Sequence, residues 1–392
     1  MKILIVCQYY YPENFIIYKI SEELVKLGND VTVLTAKPNY GYEKIVPGYE
    51  NISYEEINGV KVHRVNIYPR KKNRLSIIKN YLSFWKNSKK WVRKTKEEFD
   101  VVYSMSLSPV TILAAGNLYK KKHQVRHIVH CVDLWPESVL ITKAVRKNSL
   151  TYRFLYSWSK RLYSKADEIL IGSPSYEEYF RNVLKITNTK LTFVPQSSLV
   201  EENDGLRKNL GEGFHILYCG NLGLIQNINL IPESMKLVKN HFIKFHVIGM
   251  GPKTEELKTL IHKYHLENRV IYHGAMSAKK SAPYFKAADV SFISLKEEGY
   301  VGNTIPNKLM MSMAFAKPIL GVLKGDGRQV ILDSHCGIIA KEDPKDIANK
   351  INELYELKEK DLIEFGRNAR EYYLNHFSIK STSEKINEIL KN

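Results

Sequence analysis

The chain has 392 residues, of which 44% are apolar and 26% charged, and its 59 Lys+Arg against 41 Asp+Glu give a net charge of +18. That length exceeds what one hydrophobic core usually serves and predicts two domains of about 100 to 200 residues each. No apolar run reaches the roughly 18 residues of a spanning helix, and the signatures of nucleic-acid readers are missing, so the charge points to phosphates or anionic lipid and away from nucleic acid.

Met1 to Cys7 carries one basic residue and no small-residue cleavage site before Gln8, which predicts a first strand and not a secretory leader. Cys7, Cys131, Cys219 and Cys336 stand far apart without a C-x-x-C pair, so a reducing, cytoplasmic setting is expected and no metal site. The loop after this strand holds Tyr10, Glu13 and Asn14, residue types that suit a sugar acceptor or equally an ordinary packed loop. Ile16, Ile20, Leu24 and Leu27 then form one helical face, and Val31 to Leu34 a second strand, which together make a βαβ opening.

A further strand is expected over Val60 to Val65. From Arg70 to Lys94, Ile78, Tyr81, Leu82 and Trp85 fall on one helical face with Lys79, Lys86 and Lys90 beside it. Such a helix lies in a membrane headgroup layer or packs on the domain with its lysines in water. Buried strands follow at Val101 to Ser104, His127 to Cys131 and Glu168 to Ile171, giving a parallel, doubly wound α/β sheet. Just beyond the strand at 127–131 come Asp133, Trp135 and Glu137. There an acid could bind sugar hydroxyls or move a proton and an aromatic could lie on a sugar ring; the alternative is an acid capping a helix and a core tryptophan.

Pro195 to Ser198 and the polar stretch Glu201 to Gly205 read as a hinge. A second series of strands begins at His215 and recurs near 245, 270, 290, 318 and 337, so a second sheet of the same class is expected. The domains are therefore placed at 1–197 and 198–376, with 377–392 as a last helix. In paired sheets of this kind the ligand lies in a crevice beyond the carboxyl ends of the strands, between the halves.

Four segments of the second half follow strand ends. Gly220, Asn221 and Gly223 close a strand-to-helix turn whose amides either meet a phosphate or serve the turn alone. Gly249 and Gly251 occupy an equivalent place after the next strand. Asn303, Thr304 and Asn307 precede a helix that Thr304 is expected to cap, with Lys308 one turn in, either charged toward a phosphate or merely solvated. Asp326 and Gly327 open a further helix, as a cap or as a sugar contact. No Ser/His/Asp order and no Walker lysine loop is found, and phosphate-friendly backbone dominates. It fits a transfer whose leaving group is stabilised electrostatically.

Together Tyr10 to Asn14, Val31 to Thr35 with Pro38 to Tyr40, Asp133 to Ser138, Gly220 to Gly223, Gly249 to Pro252 and Ile305 to Lys308 resemble the retaining GT-B glycosyltransferases of family 4. The likeness is strongest to the branch of bacterial N-acetyl-L-fucosamine transferases of surface polysaccharide synthesis and spans nearly the whole chain. It implies two Rossmann-like domains facing a cleft, a UDP-sugar donor held by the second domain and an acceptor held by the first. It also implies no metal or other cofactor, retention at the anomeric carbon, and a last helix that crosses back. The acceptor so implied is a polyprenyl-diphosphate-linked saccharide at the inner leaflet of the cytoplasmic membrane. Two departures stand out. The family's glutamate pair would fall at Asn303 and Met311, and 220–226 lacks the family's arginine or lysine, so charge stabilisation shifts to Lys308 and backbone amides. A nucleotide-sugar epimerase and a non-catalytic partner of a polysaccharide assembly are the alternative functions.

Overall fold

The computed structural model describes residues 1–141, 145–198, 206–297 and 299–392. The expected connector at 201–205 lies outside the described residues. The chain divides into two units, Met1–Gln196 with Ile379–Asn392, and Ser197–Ser378.

The first unit is built on β1 (Lys2–Val6), β2 (Asp30–Ala36), β3 (Tyr54–Ile57), β4 (Val60–Val65), β5 (Val101–Ser106), β6 (Arg126–Cys131), β7 (Glu168–Ile171) and β8 (Lys190–Phe193). Their order is β3-β4-β2-β1-β5-β6-β7-β8. Alternate residues of β1 explain the layering, because strand side chains point to opposite faces. Ile3 and Ile5 join Ile17, Ile20 and Leu24 of helix Ile17–Lys26 in one core, while Leu4 and Val6 pack with Phe84 and Tyr119 in the core on the other side. A sheet covered on both faces needs near-continuous apolar strands, which is what the sequence supplies.

The expectation of a wholly parallel sheet is corrected at its edge, where β3 pairs antiparallel with β4. Asn58 and Gly59 both take left-handed conformations (φ 49° and 79°), the geometry of a two-residue hairpin turn.

The second unit has β9 (Phe214–Cys219), β10 (Ile243–Ile248), β11 (Val270–Tyr272), β12 (Val290–Ser294), β13 (Ile319–Val322) and β14 (Gly337–Ile339), all parallel, in the order β11-β10-β9-β12-β13-β14. The chain reverses its direction of progression between β9 and β12, and in open α/β sheets ligands bind beyond the carboxyl ends at such a switch point. Helix Glu359–His376 ends at Phe377, and helix Ile379–Lys391 then packs on the first unit, burying Ile386 and Leu390 among Ile3, Ile17 and Leu24. Asn29 donates to Asn387 Oδ1 at 2.8 Å and fixes its register. Among the described residues no helix is long and apolar enough to cross a membrane.

Candidate active site

At the switch point of the second unit, Lys308 lies over Gly220. A methyl group at Gly220 would sit 2.3 Å from Lys308 Cε and 3.2 Å from its Nζ, and the φ of 145° at this position is one that L side chains rarely adopt. The ammonium is 5.5 Å from the ring centre of Tyr218, and no acid among the described residues pairs with it. Burial pulls its pKa down to about 8, opposed by the nearby Cys219 sulfur. Lys308 is the second residue of helix Asn307–Ala314 and not one turn in, because the cap is Pro306 and not Thr304. Thr304 is instead buried, with its carbonyl against Gly327. Asn307 accepts a hydrogen bond from Ser198 at 2.9 Å.

The glycine loops differ in what they offer a ligand. Gly249 approaches Gly220 so closely that a Cβ there would lie 1.8 Å from the Gly220 carbonyl oxygen, and Gly251 is packed likewise on Leu222 and Asn221. The amide of Gly220 donates to Ile248 O at 2.9 Å, that of Gly249 to Gly274 O at 2.8 Å, and that of Gly251 to Thr254 Oγ1 at 2.9 Å. These three glycines give the site its shape, and their N–H groups are already engaged. The amides of Asn221 and Gly223 find no backbone acceptor among the described residues; Asn221 is exposed, whereas Gly223 is buried against the Gln226 side chain.

Asn303 abuts Gly325 at the start of helix Gly325–Ser334. Asp326 is the second residue of that helix, whose cap is Lys324, so the expectation that it caps is corrected: its charge sits in the first turn, where the helix dipole favours an anion. Substituting Gly220 with Ala is expected to weaken donor binding about tenfold and to lower stability by about 1 kcal/mol, because the methyl displaces the Lys308 stem and strains φ. Donor titration and thermal melting of Gly220→Ala check this.

In the first unit the loops after β1 and β6 carry the expected acceptor residues, and packing reassigns several of them. Tyr10 is only 1% exposed and its hydroxyl is 2.7 Å from Ser21 Oγ, so it belongs to the core and does not face an acceptor. Trp135 is 6% exposed and donates Nε1–H to Ser108 Oγ at 2.9 Å, which ties the β6 loop to the β5 loop and leaves no open ring face for a sugar. Glu13 Oε1 accepts the amides of Asn39 and Tyr40 at 2.7 and 2.6 Å, pinning the loop after β2, while its Oε2 has no partner. Burial raises the Glu13 carboxyl above its usual range, against those backbone hydrogen bonds. Asn14 is exposed. Asp133 is also raised by burial, with the Ser108 amide opposing, which keeps it closer to proton exchange near neutrality than an ordinary aspartate. Glu137 accepts from Tyr152 Oη at 2.6 Å.

Helix Arg74–Lys94 buries Ser76, Asn80, Phe84, Ser88 and Val92. The apolar face expected from the sequence is split: Tyr81 turns inward, its hydroxyl accepting from Arg70 Nη1, and Trp85 packs edge-on to Trp158 at 6.3 Å, whereas Ile78 and Leu82 stay exposed. Lys79, Lys86 and Lys90 are exposed.

Residues 15–196 match the model of the glycosyl transferase 4-like domain, and residues 213–357 that of glycosyl transferases group 1. The chain is 29% identical over 304 residues to the probable glycosyltransferase WbjE of Pseudomonas aeruginosa, covering 73% of each chain. Among solved structures it resembles Anabaena Alr3699/HepE in complex with UDP and glucose, at a TM-score of 0.69 and 16% identity over 100% of this chain and 99% of the other. It also resembles WaaG, a glycosyltransferase involved in lipopolysaccharide biosynthesis, at a TM-score of 0.65 and 12% identity over the whole of both chains. Two matched domains in this order, on two doubly wound α/β sheets with the same fold as these structures, place the chain in the GT-B glycosyltransferase family.

Proposed function

We propose that the protein moves a sugar, a deoxy-N-acetylhexosamine in the closest reading, from a UDP-sugar to a polyprenyl-diphosphate-linked saccharide in bacterial capsule or O-antigen synthesis, with retention. The observation that carries this is Lys308, an ammonium that no acid among the described residues pairs with, held over Gly220 where the ends of β9 and β12 meet. A cation there stabilises the diphosphate as the bond from the anomeric carbon to its oxygen breaks, with the amide of the exposed Asn221 adding a donor. The leaving phosphate takes the proton of the acceptor hydroxyl on the same face as the new bond forms. Asp133 orients sugar hydroxyls. This chemistry needs no metal, since the charge is supplied by Lys308, and transfer is expected to survive EDTA.

An exposed apolar row supports work at the inner leaflet. Leu75, Ile78 and Leu82 face outward from a helix that also carries Lys79, Lys86 and Lys90, a combination that favours an anionic bilayer surface.

UDP at 100 times its dissociation constant is expected to stabilise the protein by about 2.7 kcal/mol, a rise of several degrees in melting temperature. NMR of the product formed from UDP-sugar and a lipid-linked saccharide then reads the anomeric configuration. An unchanged melting temperature with UDP would overturn the donor assignment, and isomerised donor without an acceptor would turn the reading to an epimerase.

A further inference from the structure

We propose that Arg70 and the tyrosines around it form an oxyanion subsite in the first unit that takes the phosphate of the lipid-linked acceptor; this rests on the acceptor class proposed above. Arg70 follows β4, and the loops after β1 and β2 close around it. Its Nη1 donates to Tyr9 Oη and Tyr81 Oη, each at 3.1 Å, and its guanidinium carbon lies 5.2 Å from the Tyr40 ring centre. Its own amide donates to Asn39 Oδ1 at 3.0 Å, which fixes the backbone. Tyr9 is stacked on Phe15 at 4.8 Å and meets Tyr40 edge-on at 5.1 Å, so the walls of the cage are themselves held in place.

Among the described residues the guanidinium has no acid partner. It is half-buried, and among the described residues Nε and Nη2 have no acceptor. Taking a cation part-way out of water is unfavourable unless it is paired. Tyrosine faces and hydroxyls compensate in part, but the remaining donors form the planar fork that matches two oxygens of a phosphate. Glu13, in the loop after β1, holds the Asn39 and Tyr40 amides instead.

The surroundings favour a lipid-linked phosphate over a free one. Arg70 begins the run Arg70-Lys71-Lys72-Asn73-Arg74, a field suited to a multiply charged group. The helix that follows at once presents Leu75, Ile78 and Leu82 to the outside, Ile78 and Leu82 flanking Tyr81 in sequence. On helix Leu150–Tyr163, joined to it through the Trp85–Trp158 contact, Leu150 and Phe154 are exposed as well. A diphosphate at Arg70 with an apolar tail along these side chains uses both features, and inorganic phosphate uses one.

The probe is farnesyl diphosphate, titrated into the full chain with UDP saturating to occupy Lys308. Farnesyl diphosphate is expected to bind at least tenfold tighter than inorganic pyrophosphate, and farnesol not measurably. Arg70→Gln should weaken both diphosphates tenfold or more, and Arg70→Lys less, since a lysine restores charge without the fork. A circular dichroism spectrum and a cooperative melting transition like those of the wild type certify that each variant is folded, the first unit included. In the wild-type protein, farnesyl diphosphate should also slow phenylglyoxal labelling of Arg70, a readout that needs no variant. Unchanged affinity in folded Arg70→Gln, or labelling unaffected by the ligand, overturns the subsite; equal affinity for pyrophosphate and farnesyl diphosphate overturns its lipid assignment. Should UDP fail to bind, the donor reading fails by itself, and the same titration on Lys308→Met still decides about Arg70.

Discussion

Replacing Lys308 with Met is expected to lower sugar transfer about 100- to 1,000-fold, the range seen when one preorganised group that stabilises developing charge is removed, and at the same time to raise the melting temperature of the unliganded protein. Both effects come from the same burial. In the fold the lysine has a pKa of about 8, against 10.5 in the unfolded chain, so near pH 7 it is charged in both states and the fold bears the full cost of holding that charge in a poor environment. The shift corresponds to about 3 kcal/mol at most, and partial exposure reduces it to about 1–2 kcal/mol. A methionine fills the same space over Gly220 without the charge, giving a gain of a few degrees. The sign is checked by pH: with a depressed base, the wild-type protein should gain stability from pH 8 toward 10.5, and the variant should lack that gain. Donor binding should move the other way, weakening in the wild type as pH rises past about 8 and the ammonium is lost. A variant that melts lower would mean a structural lysine, and a variant with full transfer would remove it from the mechanism.

The sheets were legible because buried parallel strands leave a plain trace, apolar runs separated by helical periods. Two edge strands escaped. β8 is short and only half-buried, so its residues carry little apolar signal, and β3 was passed over although Asn58-Gly59 is a hairpin turn in plain view. The donor site was legible as positions and not as directions. That Gly220 and Lys308 should meet follows from their places after neighbouring strands. That the amides of Gly249 and Gly251 are turned to protein acceptors depends on how two loops press on each other, which spacing does not encode. Tyr10 and Trp135 show the same limit from the side of packing, since an aromatic beyond a strand end reads alike whether it faces a ligand or the core. Arg70 was hidden inside a basic run that resembles a solvated surface, and it stands out only when the loops after β1, β2 and β4 are brought together by strand order.

Acidification from pH 7 to 5 is expected to destabilise both units steeply, because three histidines are built into the fold as neutral rings. His130 Nε2 donates to Val194 O at 3.2 Å, so its Nδ1 is the acceptor for Tyr103 Oη at 2.7 Å. His127 is bonded on both nitrogens, to Ser104 and Asn117. In the second unit His246 lies between His215 and His273, at 3.0 and 2.9 Å. Since His215 Nε2 must donate to Gly211 O, its Nδ1 accepts from His246 Nε2, and His246 Nδ1 accepts from His273. An added proton on His246 would therefore point at a donor. Burial pulls the pKa values of His127 and His246 to about 3 and that of His130 to about 4, all far below 6.5 in the unfolded chain. Between pH 6.5 and 4 the unfolded chain takes up these three protons and the fold does not, so stability is complete above 6.5 and is lost as pH falls, at about 4 kcal/mol per pH unit near pH 5. Glu13 and Asp133, raised by burial, give a slope of the opposite sign at the acid end of this window and soften the loss there. Urea unfolding at pH 7, 6 and 5 measures the slope. His246→Gln should reduce it by about one proton for the second unit and His130→Gln for the first, whereas a flat profile from pH 7 to 5 would mean that these rings are charged in the fold and that their hydrogen bonds run differently.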